Sequence, residues 1–240
     1  LGNVPRMRRL GLLVFALGLV GASDAAQPGS GPTRIELFDR FASGWRERWE
    51  EQRLFSRPTL YAVANDGDRP VLHARSTAAN AGLVRRLPPN LNPSGHLSWR
   101  WKVKAPLSGR HPERSPAGDD YAARVFVVFE SSWLPLRTRA INYVWSAAEP
   151  EGAVYASPYT ANVAMVVLRS GGGAAGQWTS EVRDLAVDYR KFFGTEPTRL
   201  SAVAVLVDTD NTGETTEAWF DDLVLEINPP ARASHPAPRP

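Results

Sequence analysis

Apolar and polar residues alternate along much of the chain, a pattern of strands rather than helices. In HLSWRWKVK, residues 96–104, the side chains divide into two sets by position. One face carries Leu97, Trp99, Trp101 and Val103, and the other carries Ser98, Arg100, Lys102 and Lys104. A period of two predicts a strand with one buried and one hydrated face. YAARVFVVFE, residues 121–130, is apolar on both faces, as expected of a central strand.

Nine further segments show strand patterns, and clusters of Gly, Pro, Asn and Asp separate them. These segments are 34–39, 58–64, 70–76, 82–87, 140–146, 162–168, 177–187, 200–208 and 217–227. Helix signals are confined to DYRKFFG, residues 188–194, with Asp188 as the expected N-cap and Gly194 as the stop. Short strands at this spacing, with at most one or two short helices, predict an all-β fold, an antiparallel β-sandwich.

The two ends of the chain differ from its middle in their sequence patterns and composition. Residues 1–25 have the layout of a secretory signal peptide: a basic start, an apolar run over 10–20 and small residues before the cut. That run is shorter than the roughly 20 residues that span a bilayer. We therefore expect a periplasmic or secreted protein without an integral membrane segment in its mature chain. The expected organisation is a flexible linker over 26–32, one sandwich domain over 33–228 and a disordered Pro/Ala-rich tail over 229–240.

Charge and composition exclude several classes of function. The whole chain carries 28 Lys and Arg against 25 Asp and Glu, a net charge of +3. Without residues 1–25 these counts become 25 and 24, which leaves +1 and gives no argument for nucleic-acid binding. Cysteine is absent, which excludes disulfides, thiolate catalysis and Cys-ligated metals. The four histidines are scattered, and no serine-hydrolase or phosphate-loop motif is present.

The stretch DTDNTGETTEAWFDD, residues 208–222, concentrates acidic side chains. Asp208 and Asp210 match the start of an EF-hand loop, but Trp219 occupies the position of its bidentate Glu, so this is not an EF-hand. Three interpretations stay open: a hairpin turn in which Asp side chains cap the backbone, a calcium site of another kind, and a pair of catalytic carboxylates. Asp221 and Asp222 point to opposite faces of a strand, so an inward one needs an Arg, backbone N–H groups or a cation.

Aromatic side chains are the strongest lead to a ligand. The segment INYVWSAAEPEGAVYASPYT contains Asn142, Tyr143, Trp145, Tyr155 and Tyr159. Exposed rings stack on sugars while nearby polar groups bond the hydroxyls. The alternative is that these rings belong to the core, where Trp and Tyr are usually buried. Under the ligand interpretation the binding residues are Arg124, Asn142, Tyr143, Trp145, Tyr159, Trp178, Arg183, Asp208 and Trp219.

Eight motifs together carry a family resemblance. They are FDRFASGWRERW, LSWRWKV, DDYAARVFVVF, INYVW, SPYT, GQWTSEVRDLAVDYRKFFG, VLVDTDNTGE and AWFDDLVLE. In this order they resemble a bacterial family of exported proteins known as domain of unknown function 3047, over residues 35–227. More loosely, IELFDRF and AWFDDLVLE are similar to the opening and closing stretches of galactose-binding-like jelly-roll carbohydrate-binding modules.

The looser resemblance implies a jelly-roll fold and a structural calcium ion. In such modules an N-terminal acidic residue and a C-terminal Asp hold the ion, and the matching positions are Glu36 with Asp221 or Asp222. Together with Asp208 and Asp210 these are the candidate metal ligands. No other cofactor is expected.

Three functions follow as hypotheses. The first is a non-catalytic module that binds a glycan or a polymer of the cell envelope. The second is a structural or assembly protein of the envelope with a flat apolar patch. The third is a polysaccharide hydrolase or lyase, with Asp120, Glu130, Asp208 and Asp210 as the carboxylates to consider. The sequence favours the first and favours a protein that is not an enzyme.

Overall fold

The computed structural model describes residues 32–38, 44–53, 57–129 and 138–228. The predicted signal peptide, most of the linker, the tail and Glu130 lie outside this part of the chain. The described residues form thirteen strands, one α-helix and a single turn of 3-10 helix at Trp45–Arg48. The elements are β1 (Thr33–Glu36), β2 (Glu50–Arg53), β3 (Leu60–Asp66), β4 (Arg69–Thr77), β5 (Asn80–Leu91), β6 (Gly95–Val103), β7 (Ala123–Phe129), β8 (Arg139–Ser146), β9 (Val154–Ser157), β10 (Thr160–Ser170), β11 (Thr179–Asp184), α1 (Leu185–Phe193), β12 (Leu200–Asp208) and β13 (Thr215–Ile227).

The strands form two sheets. The first sheet has the order β11-β6-β13-β4-β3, and β1 also pairs with β13; the second has the order β2-β5-β12-β7-β8-β10-β9. All pairs are antiparallel except β8 with β10, which run parallel. The predicted all-β sandwich of jelly-roll class, with one short helix, is confirmed.

The main core lies between the two sheets and is rich in aromatic side chains. Trp99 and Trp101 of β6 are buried, as the alternation in that strand predicts, and they meet aromatic residues of β8. The ring centroids of Trp99 and Tyr143 are 5.3 Å apart, and those of Trp101 and Trp145 are 5.9 Å apart. Each such ring contributes roughly 1.5–3 kcal/mol through burial. Aromatic pairs thus connect the sheets across the centre of the sandwich.

The second sheet is apolar on its other face as well. All seven residues of β7 are buried, which confirms the prediction of a central strand at this position. Its neighbours add a second buried cluster on the face opposite the main core. That cluster contains Val84, Phe126, Val128, Ala140, Ala202, Ala204 and Leu206.

Helix α1 begins earlier than its sequence pattern predicts. Asp184 is the N-cap, since its carboxylate accepts a hydrogen bond of 2.9 Å from the Val187 N–H. The predicted cap at Asp188 is therefore wrong: that residue lies inside the helix and is buried. The predicted stop is confirmed, because Gly194 has φ 68 and ends the helix in the left-handed conformation.

No helix among the described residues is long and apolar enough to cross a membrane.

Candidate functional site

The predicted ligand residues divide between the core, a network at α1 and two further regions. Tyr143 and Trp145 are 0% and 1% exposed, so for these two rings the core alternative applies. Asn142 is also fully buried, and its Nδ2 lies 3.4 Å from the sulfur of Met165. The structure thus brings none of these three side chains to a groove. The physical reason is that both faces of β8 are covered: Tyr143 and Trp145 pack against Trp99 and Trp101 of the first sheet, and Asn142 lies on the opposite face, which is buried as well.

Arg183 takes part in a network at the start of α1. Its Nε and Nη2 donate to the two oxygens of Asp188, at 2.8 and 2.5 Å. The hydroxyl of Tyr143 donates to the same carboxylate at 2.8 Å. Asp188 thus satisfies the polar end of a core ring, and Arg183 balances its charge. This network joins the helix to the core and does not lie with the other predicted ligand residues.

Trp178 and Trp219 come together on the outer face of the first sheet. Trp219 of β13 pairs in register with Lys102 on one side and with His73 on the other. Trp178 directly precedes β11, whose Thr179 pairs with Trp101, so it lies beside Lys102. Both tryptophans are partly exposed. We call this row, formed by Trp178, Lys102, Trp219 and His73, the tryptophan row.

Cation–π and stacking contacts hold the tryptophan row in place. Nζ of Lys102 lies 5.0 Å from the ring centroid of Trp178 and 4.8 Å from that of Trp219. The His73 ring is parallel to Trp219 within 8°, at a centroid distance of 4.9 Å. Arg100 also covers Trp178, with its guanidinium carbon 4.3 Å from the ring centroid. Such contacts are worth about 0.5–1 kcal/mol each at exposed sites.

Carboxylates border the tryptophan row and are all paired. Asp66 accepts hydrogen bonds from Lys102, at 2.9 Å, and from the indole N–H of Trp178. Glu217 accepts from Lys104 and from His73, both at 2.9 Å. These hydrogen bonds, foremost those from the two lysines, lower the pKa of Asp66 and of Glu217. The region therefore offers many polar groups but little net charge.

Asp221 and Asp222 lie next to this region and bind arginines. Nη2 of Arg100 donates to Asp221 at 2.6 Å, and Nε of Arg69 is 2.8 Å from the same carboxylate. Arg69 also binds Asp222. Glu36 is 3.5 Å from Arg34. The structure thus pairs all three acidic side chains with arginines rather than gathering them around a metal.

The second region lies where β12 ends. Asp208 is the last residue of that strand, Asp210 follows in the turn, and Asp120 comes shortly before β7. One carboxylate oxygen of each lies within 4.8 Å of the others. Asp120 and Asp208 are 1% and 2% exposed, and Asp210 is partly buried. We call Asp120, Asp208 and Asp210 the aspartate cluster.

Donors from three segments fix the aspartate cluster. Nε and Nη2 of Arg124 and the Tyr121 N–H donate to Asp208. The backbone N–H groups of Asn211 and Thr212 donate to Asp120, at 3.3 and 2.6 Å. The turn after β12 is therefore tied to the segment before β7. The hairpin interpretation expected aspartates of the turn itself to cap these N–H groups, whereas Asp120 accepts their hydrogen bonds.

Burial and mutual repulsion change the acidity of these groups. Burial raises the pKa of Asp208 and of Asp210, and neighbouring carboxylates act in the same direction while Arg124 opposes them. Burial also raises the pKa of the adjacent Asp119 to about 6. The region holds more acidic groups than its one arginine balances.

Tyr159 borders the aspartate cluster. Its hydroxyl donates to the carbonyl oxygen of Pro116 at 3.0 Å and lies 3.4 Å from Oδ1 of Asn211. Burial, followed by the nearby carboxylates, raises the pKa of this phenol to about 12. Among the predicted ligand residues, Tyr159, Arg124 and Asp208 thus share one region, whereas Trp178 and Trp219 share another.

Several residues of both regions were not predicted from the sequence. The sequence predicted that Lys102 and Arg100 lie on the hydrated face of β6. This alternation was the available signal that they could lie near Trp219. His73 gave no signal, since a lone histidine on a strand is uninformative. Asn80 and Asp119, which adjoin the aspartate cluster, lie at the edges of turns where no periodicity marks them.

Comparisons with known proteins place the chain in a family. The model of the family described as "Protein of unknown function (DUF3047)" matches residues 47–224. No curated protein matches the chain. The solved structures that are similar include a family 11 carbohydrate-binding module from Clostridium thermocellum in complex with a mixed-linked tetrasaccharide. Its sequence identity is 10% and its TM-score is 0.41, and the alignment covers 82% of this chain and 96% of that one.

Another similar structure is a mutant family 29 carbohydrate-binding module in complex with cellulohexaose, at 10% identity and a TM-score of 0.41, covering 82% of this chain and 93% of that one. Similarity at this level does not indicate a shared ligand. The family match spans most of the chain and confirms the family that the sequence motifs predicted. The chain belongs to the DUF3047 family of proteins of unknown function.

Proposed function

We propose that the protein is a non-catalytic module that binds a neutral glycan of the cell envelope through the tryptophan row. The observation that carries this proposal is that Trp178 and Trp219, far apart in sequence, lie partly exposed on one open sheet face with Lys102 beside both. Two strand spacings separate them, which is about 10 Å. A surface of this kind can contact more than one sugar ring along a chain.

The chemistry of the row suits sugars. Indole rings offer apolar contact, and the paired Asp66, Glu217 and Arg100 offer donors and acceptors for hydroxyl groups. Because ion pairs already fix these side chains, binding a ligand would cost little further conformational entropy. Because the charges nearly cancel, a neutral polymer fits this face better than a strongly anionic one.

The aspartate cluster supports a module without catalysis. Asp120 and Asp208 are almost fully buried and already accept hydrogen bonds from Arg124 and from backbone groups. A general acid or a nucleophile must reach the substrate, and these side chains do not reach the surface. Export to the periplasm or beyond, which the sequence of residues 1–25 predicts, would bring the module to an envelope glycan.

Affinity electrophoresis tests this function. The chain is run through gels that contain a neutral β-glucan, a uronic-acid polymer or no polymer, and purified peptidoglycan is tested by sedimentation. We expect retardation by a neutral glycan that persists at high salt, since it does not depend on counterion release. Release of reducing sugar ends is measured in parallel, and none is expected.

Three variants make the test specific. Trp178→Ala and Trp219→Ala should each weaken retardation at least tenfold. Val182→Ala is the matched control, because Val182 is 65% exposed on β11 but lies outside the row. Absence of binding to every polymer, or binding that survives both tryptophan substitutions, would overturn the proposal.

A further inference from the structure

The aspartate cluster carries more negative charge than its surroundings balance. Asp119, with its side chain 3.6 Å from Arg124, adds a fourth carboxylate to the three of the cluster. In the described part of the chain, Arg124 is the one cationic side chain that forms an ion pair with any of the four. Fully ionised, the region therefore holds three negative charges in excess. Buried charge of this size requires a counter-charge or protons.

A second and independent feature is an amide oxygen without a partner. Asn80 pairs directly with Asp208 across β5 and β12, so the two side chains share one face of the sheet. Nδ2 of Asn80 donates to Asp210 at 3.0 Å, which places the carboxamide against the cluster. Asn80 is only 8% exposed, and its Oδ1 is buried without a hydrogen-bond partner. An oxygen in that position is costly unless something binds it.

The bound donors do not satisfy this set fully. A carboxylate has about four lone-pair positions. Three donors bind Asp208 and three bind Asp120, where Nδ2 of Asn211 joins the two backbone N–H groups described above, so each carboxylate keeps one free lone-pair position. Asn80 Oδ1 is itself an acceptor, so it cannot neutralise the carboxylates. A cation satisfies an unpaired amide oxygen and excess carboxylates together.

We infer that the aspartate cluster, together with Oδ1 of Asn80, binds one calcium ion. The ligands are all oxygen atoms, without His or Cys, which fits a hard cation rather than zinc or copper. Ca²⁺ accepts irregular sets of carboxylate and amide oxygens, whereas Mg²⁺ requires a near-ideal octahedron and keeps its waters. An ion is also small enough to enter a site that is too buried for a sugar. The inference does not depend on the proposed glycan binding.

Such an ion would join three segments of the sandwich. Asn80 begins β5, Asp208 ends β12, and Asp120 lies before β7. Their neighbours already exchange hydrogen bonds, as between Thr212 and Asp120. The ion would therefore add stability to this end of the second sheet, and the gain would appear as a calcium-dependent melting temperature.

Calorimetric titration tests the site. The chain is treated with a chelator, dialysed and titrated with CaCl₂, and one ion per chain is expected. Asp210→Asn should weaken binding at least tenfold, since it removes a charge while keeping shape. Asp222→Asn is the control: it removes an exposed carboxylate from the other acidic pair and should bind calcium as the unmodified chain does.

Thermal unfolding gives an independent measurement. At about 100 times the dissociation constant, calcium should raise the melting temperature by roughly 5–10 °C. Magnesium at the same concentration should raise it less. If Asp210→Asn does not fold, Asn80→Ser replaces it, since that change removes the amide oxygen and leaves every charge in place. The absence of both binding heat and a thermal shift at millimolar calcium would overturn the inference. Unchanged calcium affinity in Asp210→Asn, or lost calcium affinity in Asp222→Asn, would also overturn it.

Discussion

Arg124 and Asp208 form a two-point ion pair inside the protein, in which Nε and Nη2 reach separate oxygens at 2.8 and 2.6 Å. Each side chain is no more than 4% exposed. The guanidinium also covers the ring of Tyr121, at 4.3 Å from its centroid. One arginine thus organises β7, the end of β12 and the segment just before β7.

Replacing Arg124 by Met should destabilise the fold strongly, because it leaves buried carboxylates without their counter-charge. Loss of one partner of a buried pair costs about 3–5 kcal/mol. The urea midpoint of unfolding measures this. The double variant Arg124→Met/Asp208→Leu should recover part of the loss, and calcium should reduce it in the single variant. A loss below about 1 kcal/mol in the single variant would contradict this account.

Two tryptophans should respond very differently to truncation. Trp145→Ala should cost about 3–5 kcal/mol, because it empties a large space in the main core. Trp219→Ala should cost only about 1 kcal/mol, because the ring is partly exposed and loses mainly its contacts with Lys102 and His73. Denaturant unfolding of both variants checks this. Similar losses would show that Trp219 has a structural role like that of Trp145.

Removing the helix cap should have a modest and local effect. Asp184→Ala deletes the acceptor of the Val187 N–H and should cost about 1 kcal/mol. For a protein of this size that corresponds to a fall of roughly 2–4 °C in melting temperature. Lys191→Ala, at an exposed position of the same helix, is the control and should leave the melting temperature nearly unchanged. Equal effects of the two substitutions would argue against the cap.

Glu113 should give the protein a distinct pH dependence. Its carboxylate is buried and accepts hydrogen bonds from the Ser146 hydroxyl and the Ala147 N–H, at 2.6 and 2.5 Å. Burial outweighs these bonds and raises the pKa of Glu113 above its usual 4.5. The folded state therefore holds its proton more tightly than the unfolded state. The stability that protonated Glu113 contributes to the fold is fully present below about pH 4.5. It is lost as the pH rises through the raised pKa of this carboxyl group.

The variant Glu113→Gln tests that sign. Gln keeps a hydrogen-bond acceptor but does not ionise. The stability of the variant should therefore increase relative to that of the unmodified chain as the pH rises from 4.5. Melting temperatures measured from pH 4 to pH 7 would show the two curves separating. Val182→Ala, at an exposed position without an ionisable group, serves as the control with parallel curves. Parallel curves for Glu113→Gln as well would contradict the raised pKa.

Local patterns predicted the strands whose faces differ clearly. In β6 the alternation of Leu97, Trp99 and Trp101 with charged residues matches the observed burial residue by residue. The apolar run in β7 likewise predicted a central strand. These predictions hold because successive side chains of a strand point to opposite faces, so the local period shows which side chains share a face. The predicted start of the helix was wrong because Asp184 and Asp188 are both suitable N-cap residues by type. Only the end of β11 decides which of them caps the helix.

The last strand shows what a regular period misses. Phe220 and Leu223 both face the core although they are three positions apart. The register shifts between Asp221 and Val224, and Asp222 has φ 50, so an extra residue bulges there. In a strand without a bulge, Asp221 would lie on the same face as Leu223. In the structure the bulge separates them, so Asp221 meets Arg100 instead.

Contacts between residues far apart in the sequence could not be predicted from local sequence patterns. Nothing in the local sequence of Asn80 connects it with Asp208, because strand pairing decides which residues meet. For the same reason the aromatic segment around Tyr143 and Trp145 gave an ambiguous signal. Whether such rings form a surface or a core depends on what covers each face of their sheet, which the packing of the two sheets determines.

The strict division of β6 into two kinds of side chain also protects the fold during its formation. A slip of one residue in the pairing of β6 with β13 would turn Lys102 and Arg100 into the apolar interior and expose Trp99 and Trp101 to water. Both changes are unfavourable, so a misaligned strand gains neither from burial nor from its ion pairs. The same alternation that places Lys102 beside Trp219 thus makes incorrect alignments short-lived, which favours rapid correction of errors as the two sheets assemble.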